Sequence, residues 1–459
     1  MKLKHSILLF LLLVFLIPEA VFANSNIRYY EGKTASGVVS LTENPLIVTH
    51  ESLSFDVQDF PDLYVEFKDD YHAEYTAEYT ISNPTDLTVK VGLAFPVGAL
   101  PNYVSESYRK NIYGKKEAGR LLLNGEPVEY QMRYSYDRYH SLSYEETLKN
   151  LSDTYIEDGF FTKDLPVTRL TYSLSSVPGR NNPVQNFAFR LPVNASCQYL
   201  FPYVNSVGEE SEGYREIRVG GEGKTSLSFC LLGTLNEYPT CDALGKDDEL
   251  IETISPEAET TDLSHLLLED ASAYPEMSEV DLYNIRILSL MEQRNHQEPA
   301  LLGDGFSFDV NLHSYLWYQY ELEIKPHATV VHSVTAPLFP DIDAGYTMPV
   351  YSYEYLLSPA KGWGDFEGLD ISVQSSRYLL SSSLGEFEKG EDGIYRMHFD
   401  QLPEEELTFE LCETLHPQKE SNPYFVYFLM LFLPVILIIL ALLIFIIRRI
   451  VKGNKRLKK

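Results

Sequence analysis

Cysteine is scarce in this chain, four in 459 residues, and no two stand at Cys-x-x-Cys spacing. A zinc ribbon or a dithiol redox centre needs that spacing, so neither is expected. A His-Glu-x-x-His motif and a Gly-x-Ser-x-Gly elbow are also missing, which removes the zincin and α/β-hydrolase readings. EF-hand spacing does not occur, and no segment repeats at a fixed period. Basic charge is in short supply: 37 Lys+Arg face 66 Asp+Glu, a net −29. Between residues 24 and 447 the balance is 28 basic against 65 acidic residues, net −37. Such a surface repels polyanions, so nucleic acid is not an expected partner. No resident cofactor is expected either.

Long apolar runs are confined to the two ends. Residues 1–23 carry Lys2 and Lys4, an apolar run from Ile7 to Ile17, Pro18, and small residues Val21 and Ala23. This is the layout of a secretory signal cut after Ala23, and its run is too short to span a bilayer comfortably. Residues 424–447 are uncharged and as a helix reach about 36 Å, enough for a ~30 Å hydrocarbon core. Pro434 lies inside that run, and Tyr424, Phe425 and Tyr427 form an aromatic collar at its start. The tail 448–459 supplies Arg448, Arg449, Lys452, Lys455, Arg456, Lys458 and Lys459, which orient the span with that end in the cytoplasm. The expected topology is single-pass type I, with the large N-terminal region extracellular. A sortase substrate would carry a Leu-Pro-x-Thr-Gly-like motif before the span, and the chain has ETLHPQKESNPYF there.

What lies between reads as β-structure. Ala73, Tyr75, Ala77, Tyr79 and Ile81 alternate, a turn at Asn83-Pro84-Thr85-Asp86 follows, and Leu87 to Phe95 alternate again. That pattern predicts an antiparallel hairpin. Asn124-Gly125 predicts a type I′ hairpin turn. Tyr318 to Ile324 and the return through Val331 predict another hairpin across Lys325-Pro326-His327-Ala328. Ser143 three residues before Glu146 predicts a capping box. Ser278 caps the best helical pattern, with Leu282, Ile285, Leu288 and Met291 on one stripe. The fold class expected is mainly β: a sandwich over 24–235, an acidic linker with a helix over 236–300, a second sandwich over 301–420, and the C-terminal transmembrane helix.

Few residues suggest chemistry. Gly220–Ser226, GGEGKTS, resembles the end of a phosphate-binding loop but has Arg218 where the first Gly belongs, so a glycine-rich turn is expected. Asp304, Asp309, Asp341 and Asp343 stand near turns, where Asp serves the backbone and where a calcium site is the alternative. Cys230 and Cys241 are close enough in sequence to staple one loop, worth about 3 kcal/mol, although four cysteines allow three pairings. Trp317, Tyr318, Tyr320 and Trp363 are candidates for an aromatic surface that stacks on sugar or protein, against a core or rim role.

The segment 353–374 holds Tyr355, Pro359-Ala360, Trp363, Gly368, Leu369, Ile371 and Val373. Together with Tyr79, Asn83 and Phe95-Pro96 it resembles secreted or membrane-anchored bacterial proteins that carry a β-rich domain of unknown function. That resemblance implies an extracellular β-domain and brings no activity with it. The function expected is non-enzymatic recognition of a protein or glycan at the cell envelope. The alternatives are an envelope carbohydrate-active hydrolase using loop carboxylates, and an accessory subunit of a membrane complex.

Overall fold

The computed structural model describes residues 29–419, apart from 62–70, 99–100, 102, 105–118, 139–141, 177–182, 194–195, 222–223, 296–299, 302–309 and 311–312, together with residue 444. The expected signal, span and basic tail lie outside the described residues. Among the described residues no helix is long and apolar enough to cross a membrane.

The main strands of the first part are β1 (Ile47–Val57), β2 (Ala73–Ser82), β3 (Val89–Gly98) and β4 (Gln131–Tyr136), followed by helix α1 (Tyr144–Lys149). Then come β5 (Pro166–Ser173), β6 (Asn186–Pro192), β7 (Cys197–Phe201), β8 (Tyr214–Gly220), β9 (Ser226–Gly233), β10 (Cys241–Leu244) and β11 (Glu257–Asp262). Helices α2 (Leu263–Leu268) and α3 (Glu279–Asn295) lead to β12 (Ser314–Ile324), β13 (Thr329–Pro337) and β14 (Val350–Leu356). The chain ends in β15 (Leu369–Ser375), β16 (Tyr395–Phe399) and β17 (Leu407–Cys412). The mainly β expectation holds.

Pairing departs from expectation. The turn at residues 83–88 does not close a hairpin: β2 pairs with β13, Ser82 opposite Thr329, and β3 pairs with β12, Val89 opposite Ile324. The Lys325–Ala328 bend therefore also carries the chain from one sheet to another. The two corners lie side by side, tied by the buried Asn83 amide, which donates to Leu87 O (2.8 Å), Ile324 O (3.0 Å) and Lys325 O (3.1 Å). Period-two spacing with a turn signal describes an arch between sheets as well as a hairpin. The Asn124-Gly125 turn does close one, with φ of 51° and 85° between short paired strands. The Ser143–Glu146 capping box and the Ser278 cap also form.

These pairings cross the boundaries expected at 235 and 301. One nine-stranded sheet runs through β16, β15, β1, β2 and β13, with β15 parallel to β1. Its core face is covered partly by the sheet of β14 and β17 and partly by the sheet of β3, β12 and β4. Phe55 meets Tyr355 and Phe409 on one side, and His332 meets Tyr320 on the other. Between α1 and α2 a second sandwich is inserted, β11-β5-β9-β7 against β8-β6-β10. Residues expected to be linker thus supply β10 and β11. The insert's two ends meet, Leu263 N donating to Leu165 O at 2.9 Å.

Helix α3 packs against β4 and α2 and is buried on more than the expected stripe: Tyr283, Arg286, Ile287 and Leu290 are inside, while Leu288 and Met291 are half-buried. Arg286 donates to Leu267 O and to Asp270. Asp281 on its first turn accepts from Arg133 (3.0 and 3.1 Å), joining helix to sheet.

All four cysteines are buried free thiols, so the expected Cys230–Cys241 staple is absent. The strand pleat explains it. In β9, Leu227, Phe229 and Leu231 face the sandwich core while Cys230 and Leu232 face the opposite side, toward the core that holds α2 and α3. Cys241 faces the sandwich core from the other sheet.

Candidate binding site

The proposed aromatic surface is interior. Trp317 is 0% exposed, Tyr318 1%, and Tyr320 and Trp363 6% each. Trp317 Nε1 donates to Ser135 Oγ at 2.8 Å, and Tyr318 stacks on Tyr130 with centroids 4.1 Å apart. Alternation in β12 places Trp317 on the face opposite Tyr318 and Tyr320, but both faces are covered. The outer one lies under Tyr144, Leu148 and Leu151 of the α1 region. Asp341 and Asp343 serve the backbone: Asp341 accepts from Gly32 N and Tyr29 OH, and Asp343 from Gly345 N. Asp304 and Asp309 lie outside the described residues. Among the described residues no group of three or more His, Cys, Asp or Glu side chains is arranged to hold a metal ion.

Two polar centres were not anticipated. The first is a buried row across three strands, Glu51 opposite Tyr79 and Tyr79 opposite His332. Glu51 keeps phase with Leu53, Phe55 and Val57, so the pleat turns its carboxyl into the core, where it is 1% exposed. The sequence carried that signal in an acidic residue standing in an apolar register. Burial pushes the Glu51 carboxyl up to about 7, against the lowering effect of the Tyr79 and Tyr355 hydroxyls. His332 Nδ1 lies 2.8 Å from Leu122 O, which can only accept, so Nδ1 carries the proton and Nε2 accepts from Tyr320 OH at 2.7 Å. Burial pushes this neutral imidazole down to about 4. The row is sealed, which suits a structural role better than an acid–base one.

The second centre is open. At one end of the inserted sandwich a pocket of about 490 Å³ is lined by Gln185, Asn186, Tyr203, Asn205, Gly220 and Lys224. Asn186 begins β6 and Gly220 ends β8, paired directly across the sheet. Tyr203 and Asn205 lie where the chain leaves β7 and folds back along β8, Asn205 N donating to Arg218 O at 2.8 Å. Asn205 Oδ1 accepts from Gly220 N at 3.0 Å, and a Cβ at Gly220 would stand 3.1 Å from Asn205 Nδ2. A glycine there allows the amide to come this close. Tyr203 donates to Gly220 O, and Lys224 donates to Tyr203 OH with its ammonium 4.0 Å from the ring centroid. None of the six lining residues bears a carboxylate. Lys224 lies in the Gly220–Ser226 stretch expected to be a turn. Nothing in that stretch signals that Tyr203, Asn205 and Asn186 gather around it, because the gathering requires β6 to pair with β8 and the chain after β7 to fold back along β8.

No family model matches the chain, and no curated protein matches it. Among solved structures it is similar to a protein of Legionella pneumophila subsp. pneumophila, named provisionally as a nutrient binding protein. The TM-score is 0.32 at 10% identity, over 83% of this chain and 72% of that one. So loose a likeness fixes neither fold family nor ligand.

Proposed function

We propose that this protein is a non-enzymatic recognition module whose inserted sandwich receives a hydroxyl-bearing ligand, with residues 424–447 tethering it at the outer face of a membrane. The reading rests on the rim pocket, where three carboxamides, a tyrosine and a lysine surround one opening. Carboxamides both donate and accept, which matches sugar hydroxyls, and an aromatic ring supplies an apolar face. The described residues of the lining include no carboxylate, and so offer no acid–base pair for glycoside cleavage. Resemblance to exported bacterial β-proteins fits an envelope location.

The test uses the full chain in detergent on an oligosaccharide array, beside Tyr203→Ala and Asn205→Ala. Retention of a glycan class that both variants lose is the expected result. Absence of any retained glycan overturns the reading. Turnover of a retained glycan, abolished by changing an acid, replaces it with the hydrolase alternative. Extraction of membranes at alkaline pH and protease shaving of whole cells test the tether; release of the chain or an intact N-terminal region would refute it.

A further inference from the structure

We infer that the pocket's ligand is an acidic sugar, bound through its carboxylate to Lys224. This inference rests on the binding reading above and narrows it to one chemical class.

The donors and acceptors of the lining carry the argument. Asn205 Oδ1 is committed to Gly220 N, so its orientation is fixed and Nδ2 turns two N–H donors to the pocket. Lys224 spends one N–H on Tyr203 OH, which in turn is spent on Gly220 O. Two ammonium donors remain. The Tyr203 hydroxyl is occupied as donor and as acceptor. Gln185 and Asn186 add donors and acceptors in equal number. The opening is therefore richer in donors than acceptors and carries one positive charge, in a chain of net −29.

A neutral sugar, whose hydroxyls donate and accept alike, makes no use of the positive charge on Lys224. A phosphate or sulfate ester finds no arginine fork and no second cation among the described lining residues. One carboxylate beside several hydroxyls fits: the carboxylate meets Lys224 and Asn205 Nδ2, and the hydroxyls meet Gln185 and Asn186. The overall negative field opposes an anion at long range, so the local preference must be read as a difference between variants.

The test compares a trisaccharide bearing one uronic acid with the same trisaccharide whose carboxyl is reduced to the alcohol. Both are titrated against the full chain by ligand-observed NMR. The acidic form should bind on the order of tenfold more tightly, as a charge-assisted hydrogen bond implies. Lys224→Gln should erase that ratio, and Lys224→Arg should restore most of it. Lys224 is exposed, so these changes do not threaten folding. Equal affinity for the two sugars, or a ratio unchanged in Lys224→Gln, overturns the acidic-sugar inference and leaves the binding reading standing. Tighter binding of a sugar phosphate than of the uronate overturns it likewise. Failure of both trisaccharides and of the wider array overturns the two together.

Discussion

The larger body and the inserted sandwich solve the same packing problem with different interiors. The insert's core is apolar and aromatic: Phe229 lies 4.2 Å from Phe201, 5.3 Å from Phe189 and 5.7 Å from Tyr172 between ring centroids. Gln185, Asn186, Asn205 and Lys224 stay at its rim, and Gln198 of β7 is its buried carboxamide. In the larger body, polar groups go inside, where the Glu51–Tyr79–His332 row, the Asn83 amide and the Arg133–Asp281 pair each find partners. A buried polar group is tolerated only when its bonds are made, so those partners restrict how the larger sheets align. The insert leaves the polar groups of its rim accessible for an outside partner.

The sharpest way to break this contrast is Phe229→Ala. It removes the centre of the aromatic cluster and should cost about 4 kcal/mol. Chemical denaturation should then show a separate early transition for the insert. A single unchanged transition would show that the two interiors do not unfold separately.

Next in size is the pH dependence of the larger body. Glu51 holds its proton to about 7 in the folded state, against an ordinary 4.5. Its contribution is full below 4.5 and is lost as pH rises toward 7, by about 3 kcal/mol. His332 runs the other way: held near 4 against 6.5, it costs stability as pH falls from 6.5 to 4. Glu51→Gln should flatten the decline on raising pH and His332→Gln the decline on lowering it, each measured as the difference from wild type in urea midpoints. Parallel curves would show that the row is not buried as described.

Asn83→Ala leaves three carbonyls at the paired corners without their donor and should cost about 2 kcal/mol. The effect should appear in the transition of the larger body and not in that of the insert. Ser143→Ala removes one half of the α1 capping box and should cost about 1 kcal/mol in thermal melts. A larger loss would mean that α1, with its Tyr144 and Leu148 over Trp317, supports more of the β12 sheet than its length suggests.

Local features were legible in the sequence because their causes are local. The Asn124-Gly125 turn follows from two residues that accept positive φ, the α1 cap from a Ser and Glu three apart, and the strands from alternation. Which strand meets which was not legible. Residues 73–98 and 314–337 each read as a hairpin, yet each half pairs with the other segment. Alternation reports that a face is buried and not what buries it. The same ambiguity hid Cys230 from Cys241, since one step along β9 reverses the direction of a side chain. It also left a surface and a core role both open for Trp317, Tyr318 and Tyr320: a Tyr-rich alternating strand looks the same whether a neighbouring layer covers it or water does. The pocket was illegible for a stronger reason, because its members come from three stretches joined only after β6 pairs with β8 and the chain after β7 folds back on it.

The paired corners also govern the order of events during synthesis. All strands of the insert but the two-residue edge strand Ala300–Leu301 are in hand once residue 262 has left the ribosome, so that sandwich can close early. β1 and β2, made first, must wait for β13 and β15, made near the end, and their apolar faces stay uncovered in the interval. Long-range pairing of this kind slows folding and prolongs exposure. In a chain built in this way the first strands made are the ones that wait longest for their neighbours.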